Sequence, residues 1–303
     1  AVRCIRGFAE EITAVEFAGE HSLVAASGSS IFVYDQRKLD LISHAVDSAT
    51  SSFASNGGGE VQALSARGDF VAFVDDDGCL AVCDITDDSL SSNTVVPFSG
   101  GHDALAGCVC MHPDEPVVAS GGFDSKVLLW DMASETTTKT FVADASNTVH
   151  DTETGRQLVN PPFVYTLDFV PGADDGHALQ FVSGHADGRL MCVGGETTFS
   201  WSSCHGYSIS ALRFMRAKPE ILATASLDCT LALWDAESVV SPDVAVDANA
   251  AAECMTAALV LGDRPCLLVQ VELDAKPDTL ASSETAPVIY IDQGRDVIAY
   301  TIA

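Results

Sequence analysis

The chain contains histidine, serine or threonine, and aspartate at a spacing that repeats, and these are the residue types of a catalytic triad. Two such sets occur, each in the order imidazole, hydroxyl, carboxylate: His102, Ser120, Asp124 and His205, Thr224, Asp228. In both sets the aspartate follows the hydroxyl residue by four positions, and the histidine precedes it by 18 or 19. Taken singly, either set has the groups for acyl transfer, with the hydroxyl as nucleophile and the imidazole as base.

A tryptophan extends the pattern and changes its interpretation. Trp130 follows Asp124 by six residues, Trp234 follows Asp228 by six, and each tryptophan stands in the tripeptide Leu-Trp-Asp. Polar groups that are partly buried must be hydrogen-bonded, and a carboxylate, an imidazole, a hydroxyl and an indole N–H can satisfy one another in that order. We therefore interpret the two sets as structural tetrads and assign no catalytic residue.

The spacing is typical of WD repeats, in which each repeat forms one four-stranded antiparallel blade of a β-propeller. The aspartate then lies in the turn between the second and third strands, and the tryptophan lies on the third. The third-strand position can be followed through six repeats, at Tyr34, Cys83, Trp130, Val193, Trp234 and Tyr300. The sequence thus predicts an all-β WD40 β-propeller with six countable blades.

Alternating apolar residues predict three strands in each of the first five repeats, with an outer strand in the fourth near Thr198–Trp201. The last repeat is less regular and offers four strand-like segments: Met255–Val260, Leu267–Leu273, Val288–Asp292 and Val297–Ile302. Val2–Arg6 resembles an outermost strand. Two closures remain open: six blades closed through this strand, or a seven-bladed ring without its N-terminal blade.

The steps between successive third strands are 49, 47, 63, 41 and 66 residues, whereas a blade needs only about 40–45. We expect one propeller domain over residues 1–303, with inserted loops at 40–60, 133–162, 237–252 and 274–286. Such loops are places where binding specificity can reside.

Composition narrows the function classes. A net charge of −28 disfavours direct binding to nucleic acids or anionic membranes, and no apolar run approaches a membrane span of about 18–20 residues.

Asp75-Asp76-Asp77-Gly78 superficially suggests a calcium loop but lacks the bidentate glutamate at the required distance, so we expect no metal site and no cofactor. Most of the ten cysteines lie in apolar runs without a Cys-x-x-Cys pair, which favours free thiols and the cytoplasm or nucleus.

Some segments point beyond a generic propeller. Gln157-Leu158-Val159-Asn160-Pro161 resembles a Gln-Leu-Leu-Asn-Pro segment of the WD repeat-containing protein 53 family, and the order of the flanking blade motifs is also similar. Those blade motifs are common to all WD-repeat proteins, so the Gln-Leu-x-Asn-Pro segment and the spacing are the distinctive part. That family has an additional N-terminal blade, and the resemblance therefore favours the seven-bladed alternative.

The resemblance also implies a partner. Members of that family are regarded as candidate substrate receptors of cullin-4-type ubiquitin ligases, which dock on the damaged-DNA-binding-protein adaptor, often through a Trp-Asp-x-Arg ending. Here the matching ending is Tyr34-Asp35-Gln36-Arg37, with tyrosine in place of tryptophan. The expected partner-binding residues are Tyr34, Asp35 and Arg37, whereas the plainer alternative is an exposed arginine paired with a nearby carboxylate.

The sequence therefore favours a non-catalytic protein-interaction scaffold that is monomeric by itself. One alternative is a propeller that binds basic peptides such as histone tails, since the chain is strongly acidic. A less favoured alternative is an enzyme or small-ligand binder at the central channel, which would need convergent acids, histidines or a metal from several blades.

Overall fold

The computed structural model describes residues 4–55, 58–86, 95, 97–143, 161–172, 179–194, 197–201, 204–240, 267–277, 279–282, 286–293 and 296–301. The chain divides into two compact units, Ala1–Val142 and Ala143–Ala303. Apart from one parallel ribbon, each unit is built from antiparallel sheets whose first three strands are consecutive in the chain and neighbours in the sheet.

The first unit contains three such sheets and a short ribbon. Sheet 1 comprises β2 (Ile12–Ala18), β3 (Ser22–Ser27), β4 (Ser30–Asp35) and β6 (Ser51–Ala54). Sheet 2 comprises β7 (Val61–Arg67), β8 (Phe70–Asp75) and β9 (Leu80–Asp84), and sheet 3 comprises β10 (Ala106–Met111), β11 (Val117–Gly122), β12 (Lys126–Asp131) and β13 (Thr136–Val142). The ribbon pairs β1 (Cys4–Arg6) in parallel with β5 (Ile42–His44).

The second unit also contains three sheets. Sheet 4 comprises β14 (Val164–Phe169), β15 (Gln180–His185), β16 (Leu190–Gly194) and β17 (Thr197–Trp201). Sheet 5 comprises β18 (Ile209–Met215), β19 (Lys218–Ser226), β20 (Thr230–Asp235) and β21 (Leu267–Glu272), with the short helix α1 (Ala236–Val240) after β20. Sheet 6 comprises β22 (Leu280–Ser282), β23 (Val288–Gln293) and β24 (Asp296–Thr301).

Neighbouring sheets within a unit pack face to face through apolar side chains. One core cluster joins sheets 1 and 2, with Ile31 and Val33 against Val71 and Phe73. Equivalent clusters join sheets 2 and 3, sheets 4 and 5, and sheets 5 and 6. Because both faces of a central sheet are covered, its strands are nearly continuous apolar runs, as in Val71-Ala72-Phe73-Val74.

A bulge recurs at one place in five sheets. The pairing of first and second strands skips one residue near the start of the first strand, at Thr13, Gln62, Gly107, Tyr165 and Ser210. A bulge increases the local right-handed twist of a strand. Its recurrence at matched positions shows that the sheets are copies of one structural unit.

The predicted all-β fold and the three inner strands of the first five repeats are confirmed, with boundaries that agree to within three residues. The assignment of Leu267–Leu273 to the last repeat is wrong, because Leu267–Glu272 pairs with β20 as the outer strand of sheet 5. An apolar pattern shows that a segment is a strand but does not select its neighbour. Met255–Val260 lies outside the described residues.

Of the two closures left open, the one in which the N-terminal strand completes the last repeat is not found among the described residues. Cys4–Arg6 pairs instead with Ile42–His44, and Ile5 packs into a cluster that includes Phe8, Phe32 and Tyr34, on the face of sheet 1 that does not pack against sheet 2. The apolar packing of Ile5 holds the N-terminal strand beside sheet 1, where it pairs with a nearby segment of the chain. The seven-bladed alternative stays a prediction, as does the single domain over 1–303.

Three of the four expected loop insertions contain strands. Residues 40–60 include β5 and β6, residues 133–162 include β13, and residues 274–286 include β22. Outer strands escape an apolar pattern because they are edges exposed to solvent, as in the Thr-Thr-Thr-Lys-Thr run of β13, whose threonines and lysine suit an exposed edge strand. Of residues 237–252, only the first four are described, and they belong to α1.

Candidate functional site

The first tetrad forms a chain of hydrogen bonds in sheet 3. The Trp130 indole N–H donates to Ser120 Oγ (2.8 Å), Ser120 Oγ lies 2.8 Å from His102 Nε2, and His102 Nδ1 lies 2.9 Å from Asp124 Oδ1. One assignment satisfies every group: the serine hydroxyl donates to Nε2, and Nδ1–H donates to the carboxylate. This assignment requires a neutral imidazole, and burial lowers the pKa of His102 accordingly.

The second tetrad repeats this geometry in sheet 5. Trp234 Nε1 donates to Thr224 Oγ1 (2.8 Å), which lies 2.7 Å from His205 Nε2, and His205 Nδ1 lies 3.2 Å from Asp228 Oδ2. Although burial raises the pKa of Asp228, hydrogen bonds from His205, Thr230 and the Gly206 N–H outweigh it and hold that pKa well below its usual range. The carboxylate therefore remains charged as a fixed acceptor.

The tetrads are closed to substrate. Ser120 and Thr224 are fully buried, and the side chains of His102 and His205 have no exposed surface. Each hydroxyl is held between an imidazole and an indole, which leaves no approach for an electrophile. The tetrad carboxylates also accept backbone N–H groups of the adjoining loops and turns, so the tetrads fix the position of this backbone.

Sheet 4 departs from the pattern in a way that the sequence did not predict. Ser183 and Asp187 occupy the hydroxyl and carboxylate positions, but the imidazole comes from His185 on the same strand. His185 Nε2 lies 2.9 Å from Ser183 Oγ, and its Nδ1 lies 3.0 Å from the carbonyl oxygen of Pro162. Asp187 instead forms an ion pair with the buried Arg189, in which Arg189 Nη2 lies 2.6 Å from Asp187 Oδ2.

A glycine in sheet 3 explains why the two arrangements exclude each other. Gly122 occupies the position of His185, and a Cβ on Gly122 would lie 2.4 Å from His102 Nδ1. A loop histidine and a strand histidine therefore compete for the same space. The signal in the sequence is the residue two positions after the strand hydroxyl, which is Gly122 or Ser226 beside the two tetrads and His185 where the tetrad is lost.

Turn glycines connect neighbouring sheets within each unit. Gly78 O accepts a hydrogen bond from His102 N, and Gly188 O accepts one from His205 N, at 2.9 and 3.1 Å. Both glycines have positive φ, and a Cβ on Gly188 would lie 2.2 Å from His205 O. Each histidine thus hydrogen-bonds to its own sheet through its side chain and to the preceding sheet through its backbone N–H.

Tyr34 occupies in sheet 1 the position that Trp130 holds in sheet 3. It is fully buried, and its hydroxyl donates to the carbonyl oxygen of Ala45 (2.9 Å) rather than to a strand hydroxyl. Desolvation raises the pKa of Tyr34 to about 12. The prediction that Tyr34 contacts a partner is therefore wrong, because its ring packs against Phe8 and Phe32 and its polar end is already bonded.

Arg37 and Asp35 form an exposed, two-point ion pair. Arg37 Nε donates to Asp35 Oδ1 and Nη2 donates to Oδ2, both at 2.9 Å. The hydrogen bonds from the Arg37 side chain are the main reason that the pKa of Asp35 lies well below its usual range, and they raise the pKa of Arg37. The arginine side chain is 64% exposed and that of Asp35 only 12%.

The Arg37 guanidinium is not needed for the turn on which it stands. Asp35 Oδ1 accepts the N–H of residue 37, as Asp84 accepts that of Thr86 and Asp131 that of Ala133. The alanine shows that the turn forms without a side chain at this position. Asp35 binds the edge formed by Nε and Nη2, so Nη1 and the outer hydrogen of Nη2 form a second edge at the end of the side chain.

The part of the chain that the structure describes contains no cluster of three histidine, cysteine, aspartate or glutamate side chains able to hold a metal ion. The eight cysteines in this part are free thiols. Three of these residues are partly exposed and one is exposed. Within the same residues, no helix is long and apolar enough to cross a membrane.

Comparison with known proteins identifies the family to which the repeats are similar. The family model described as "WD domain, G-beta repeat" matches residues 93–131 and 162–235, which cover sheet 4 and the three inner strands of sheets 3 and 5. A chain in the crystal structure of the Mitotic Checkpoint Complex superposes with a TM-score of 0.67 and 15% identity, over 96% of this chain and 74% of that one. The protein therefore carries WD40 repeats and has the WD40 β-propeller fold.

Among curated proteins, the nuclear distribution protein nudF of Aspergillus niger is 28% identical over 141 residues. The match covers 46% of this chain but only 27% of nudF. WD40 propellers generally mediate protein–protein interaction.

Proposed function

We propose that this protein is a non-catalytic interaction scaffold that docks on a partner through the Asp35–Arg37 pair, and that the partner is the damaged-DNA-binding-protein adaptor of a cullin-4-type ubiquitin ligase. One observation carries the proposal. Arg37 is exposed and pre-ordered by two hydrogen bonds, although the turn that bears it forms equally well with alanine in sheet 3.

The geometry suits recognition of a carboxylate or carbonyl group. With Nε and one hydrogen of Nη2 held by Asp35, the outer edge of the guanidinium presents parallel donors in a fixed plane. Fixing a flexible side chain before binding reduces the entropy cost of association. Asp35 is therefore the positioning residue and Arg37 the contact residue, while buried Tyr34 supports the turn from below.

The resemblance to the WD repeat-containing protein 53 family supports the choice of adaptor, and a receptor of this kind would act in the cytoplasm or nucleus. The free thiols in the described residues fit such a reducing compartment.

Recovery of the adaptor by the immobilised full chain tests the proposal. We expect Arg37→Ala to reduce recovery at least tenfold without changing the melting temperature, since a buried interfacial charge pair is worth several kcal/mol while an exposed pair adds little to stability. Arg216→Ala is the matched control, because Arg216 is also exposed and lies in a turn of sheet 5. Equal recovery by native chain and Arg37→Ala would refute adaptor docking at this site.

A further inference from the structure

The third-strand position of the repeat marks the face on which a sheet receives the sheet before it, here called the upstream face. Cys83, Trp130 and Trp234 hold this position in sheets 2, 3 and 5, and each packs in the apolar cluster that joins its sheet to the preceding one. Tyr34 holds it in sheet 1 but packs in a separate cluster. The upstream face of sheet 1 therefore has a different cover.

Strand β1 and the residues directly after it supply this cover. Ile5 on β1 and Phe8 pack in one cluster with Phe32 and Tyr34 of the third strand. The Phe8 ring meets the rings of Phe32 and Tyr34 edge-on, with centroids 5.6 and 6.5 Å apart. Because Ile5 and Phe8 cover the third strand of sheet 1, they occupy the position that a preceding sheet takes in sheets 2, 3 and 5.

The cover does not reach the first strand of the sheet. Val15 and Phe17 on β2 lie on the upstream face and are 53% and 65% exposed. Counted from the bulge, their counterparts in sheet 5 are Leu212 and Phe214, which are buried in the cluster with sheet 4. Strand β1 is thus narrower than a sheet, and it would compete with a preceding sheet for the third strand.

Hydrogen bonds connect β1 to the turn that bears Arg37. The carbonyl oxygen of Arg6 accepts the Ala45 N–H, and the carbonyl oxygen of Ala45 accepts the Tyr34 hydroxyl, both at 2.9 Å. Tyr34 directly precedes Asp35, whose carboxylate holds the Arg37 guanidinium. Ala45 therefore links β1 to the base of the Asp35–Arg37 pair.

The segment that contains Ala45 is long for its place in the repeat. The connection between β4 and β6 occupies residues 36–50, whereas the equivalent connection in sheet 3 is residues 132–135. A longer connection loses more conformational entropy when its backbone is fixed. Strand β1 holds this one at two places, because Cys4 N also donates to Leu41 O at 3.0 Å.

We propose that β1 (Cys4–Arg6) is a strap, which covers the upstream face of sheet 1 in place of a preceding sheet and holds residues 36–50, with the Asp35–Arg37 pair, in one conformation. Without the strap, Ala45 loses its bond to Arg6, and Tyr34 loses part of its packing. The consequence for adaptor binding rests on the function proposed above, whereas the hold on residues 36–50 does not.

Hydrogen exchange of the full chain, followed by mass spectrometry, tests the strap. We expect Ile5→Asp to accelerate exchange in residues 36–50 roughly tenfold or more, because a carboxylate is costly in an apolar cluster and its departure opens the segment locally. The conservative Ile5→Val should keep the native rate. Val15→Asp is the matched control, since Val15 lies on the same face outside the cluster. Unchanged exchange in sheet 5 establishes that each variant folds.

A second variant examines the link through Ala45. Tyr34→Phe keeps the ring and removes the hydroxyl that donates to Ala45 O. If Ala45 joins the strap to the Arg37 turn, exchange in this variant should accelerate in Cys4–Arg6 as well as in residues 36–50. Unchanged exchange of Cys4–Arg6 would overturn the link.

The strap is overturned if Ile5→Asp leaves exchange of residues 36–50 at the native rate, or if Val15→Asp accelerates it equally. The two proposals fail separately. If Ile5→Asp accelerates exchange while Arg37→Ala leaves adaptor recovery unchanged, the strap stands and adaptor docking does not. If Arg37→Ala abolishes recovery and Ile5→Asp does not change exchange, the reverse holds.

Discussion

At the scale of single residues, the same chemical groups serve structure or recognition according to their burial. His102, Ser120 and Asp124 have the composition of a triad, yet each is bonded on every side and shielded from solvent. Arg37 and Asp35 are also bonded, but with one donor edge exposed. Accessibility, more than residue type, separates an architectural group from one that can contact a partner.

Trp130 contributes to stability through its packing and through its indole N–H. Trp130→Ala should reduce the free energy of unfolding by about 3–5 kcal/mol, as truncation of a buried aromatic does. Trp130→Phe retains most of the packing and loses one hydrogen bond to Ser120, so we expect a cost of about 0.5–1.5 kcal/mol from that bond. Urea denaturation measures both. Equal stability of the two variants would contradict the hydrogen-bonded tetrad.

His185 should make stability depend on pH. Burial lowers its pKa from 6.5 to about 4, so as pH falls the unfolded chain takes up a proton first. The stability associated with neutral His185 is complete above pH 6.5 and is lost between about 6.5 and 4, by about 3 kcal/mol. We expect His185→Gln to reduce this slope in denaturation curves recorded across that range.

The matched control for that slope is His21→Gln, which removes an imidazole that is about half exposed. Some slope will remain in His185→Gln because burial also lowers the pKa of His102. An unchanged slope in His185→Gln would show that the buried imidazole does not control acid sensitivity.

At the scale of elements, turns connect neighbouring sheets, and the sheets differ mainly in the connection that leads to the outer strand. The turn glycines Gly78 and Gly188 contact the histidine loop of the following sheet, so a backbone hydrogen bond links sheets 2 and 3 and another links sheets 4 and 5. The connection between the third and outer strands varies in length, from residues 195–196 in sheet 4 to residues 236–266 in sheet 5. Variation is tolerated there because this connection leads to an exposed edge strand.

Gly188→Ala should be much more costly than an alanine at another left-handed glycine. The new Cβ would meet His205 O at 2.2 Å, and the residue has a φ of +81°. Gly172 has a φ of +74° with nothing within 4 Å, so Gly172→Ala measures the backbone strain alone, about 1–2 kcal/mol. Thermal melts should show a clearly larger loss for Gly188→Ala. Equal losses would mean that this contact between sheets 4 and 5 is not tight.

At the scale of the whole molecule, the net charge of −28 is the dominant property. A charge of this size keeps a protein soluble and repels phosphate, but it also opposes the compact state through self-repulsion. Arg37 and Lys38 are two of the chain's 15 basic residues, and both pair with Asp35, at 2.9 and 3.5 Å.

Salt should therefore stabilise the protein. Raising the ionic strength from about 0.01 to 0.15 M shortens the Debye length from roughly 30 to 8 Å and screens the repulsion, so the melting temperature should rise. Sodium chloride and sodium nitrate should act alike, because screening depends on ionic strength and not on ion identity. A melting temperature that falls, or that follows the identity of the anion, would contradict self-repulsion as the cause.

The sequence by itself determined the fold class, the repeat register and the inner strands, because these follow from short-range alternation and from four-residue patterns such as His102 to Trp130. Only the tertiary structure decided that Leu267–Glu272 completes sheet 5, that Cys4–Arg6 pairs with Ile42–His44, and that Tyr34 is buried beneath an exposed Arg37. The physical reason is that strand partners and side-chain exposure depend on residues distant in the chain, whose competition for the same edge or space leaves no local pattern.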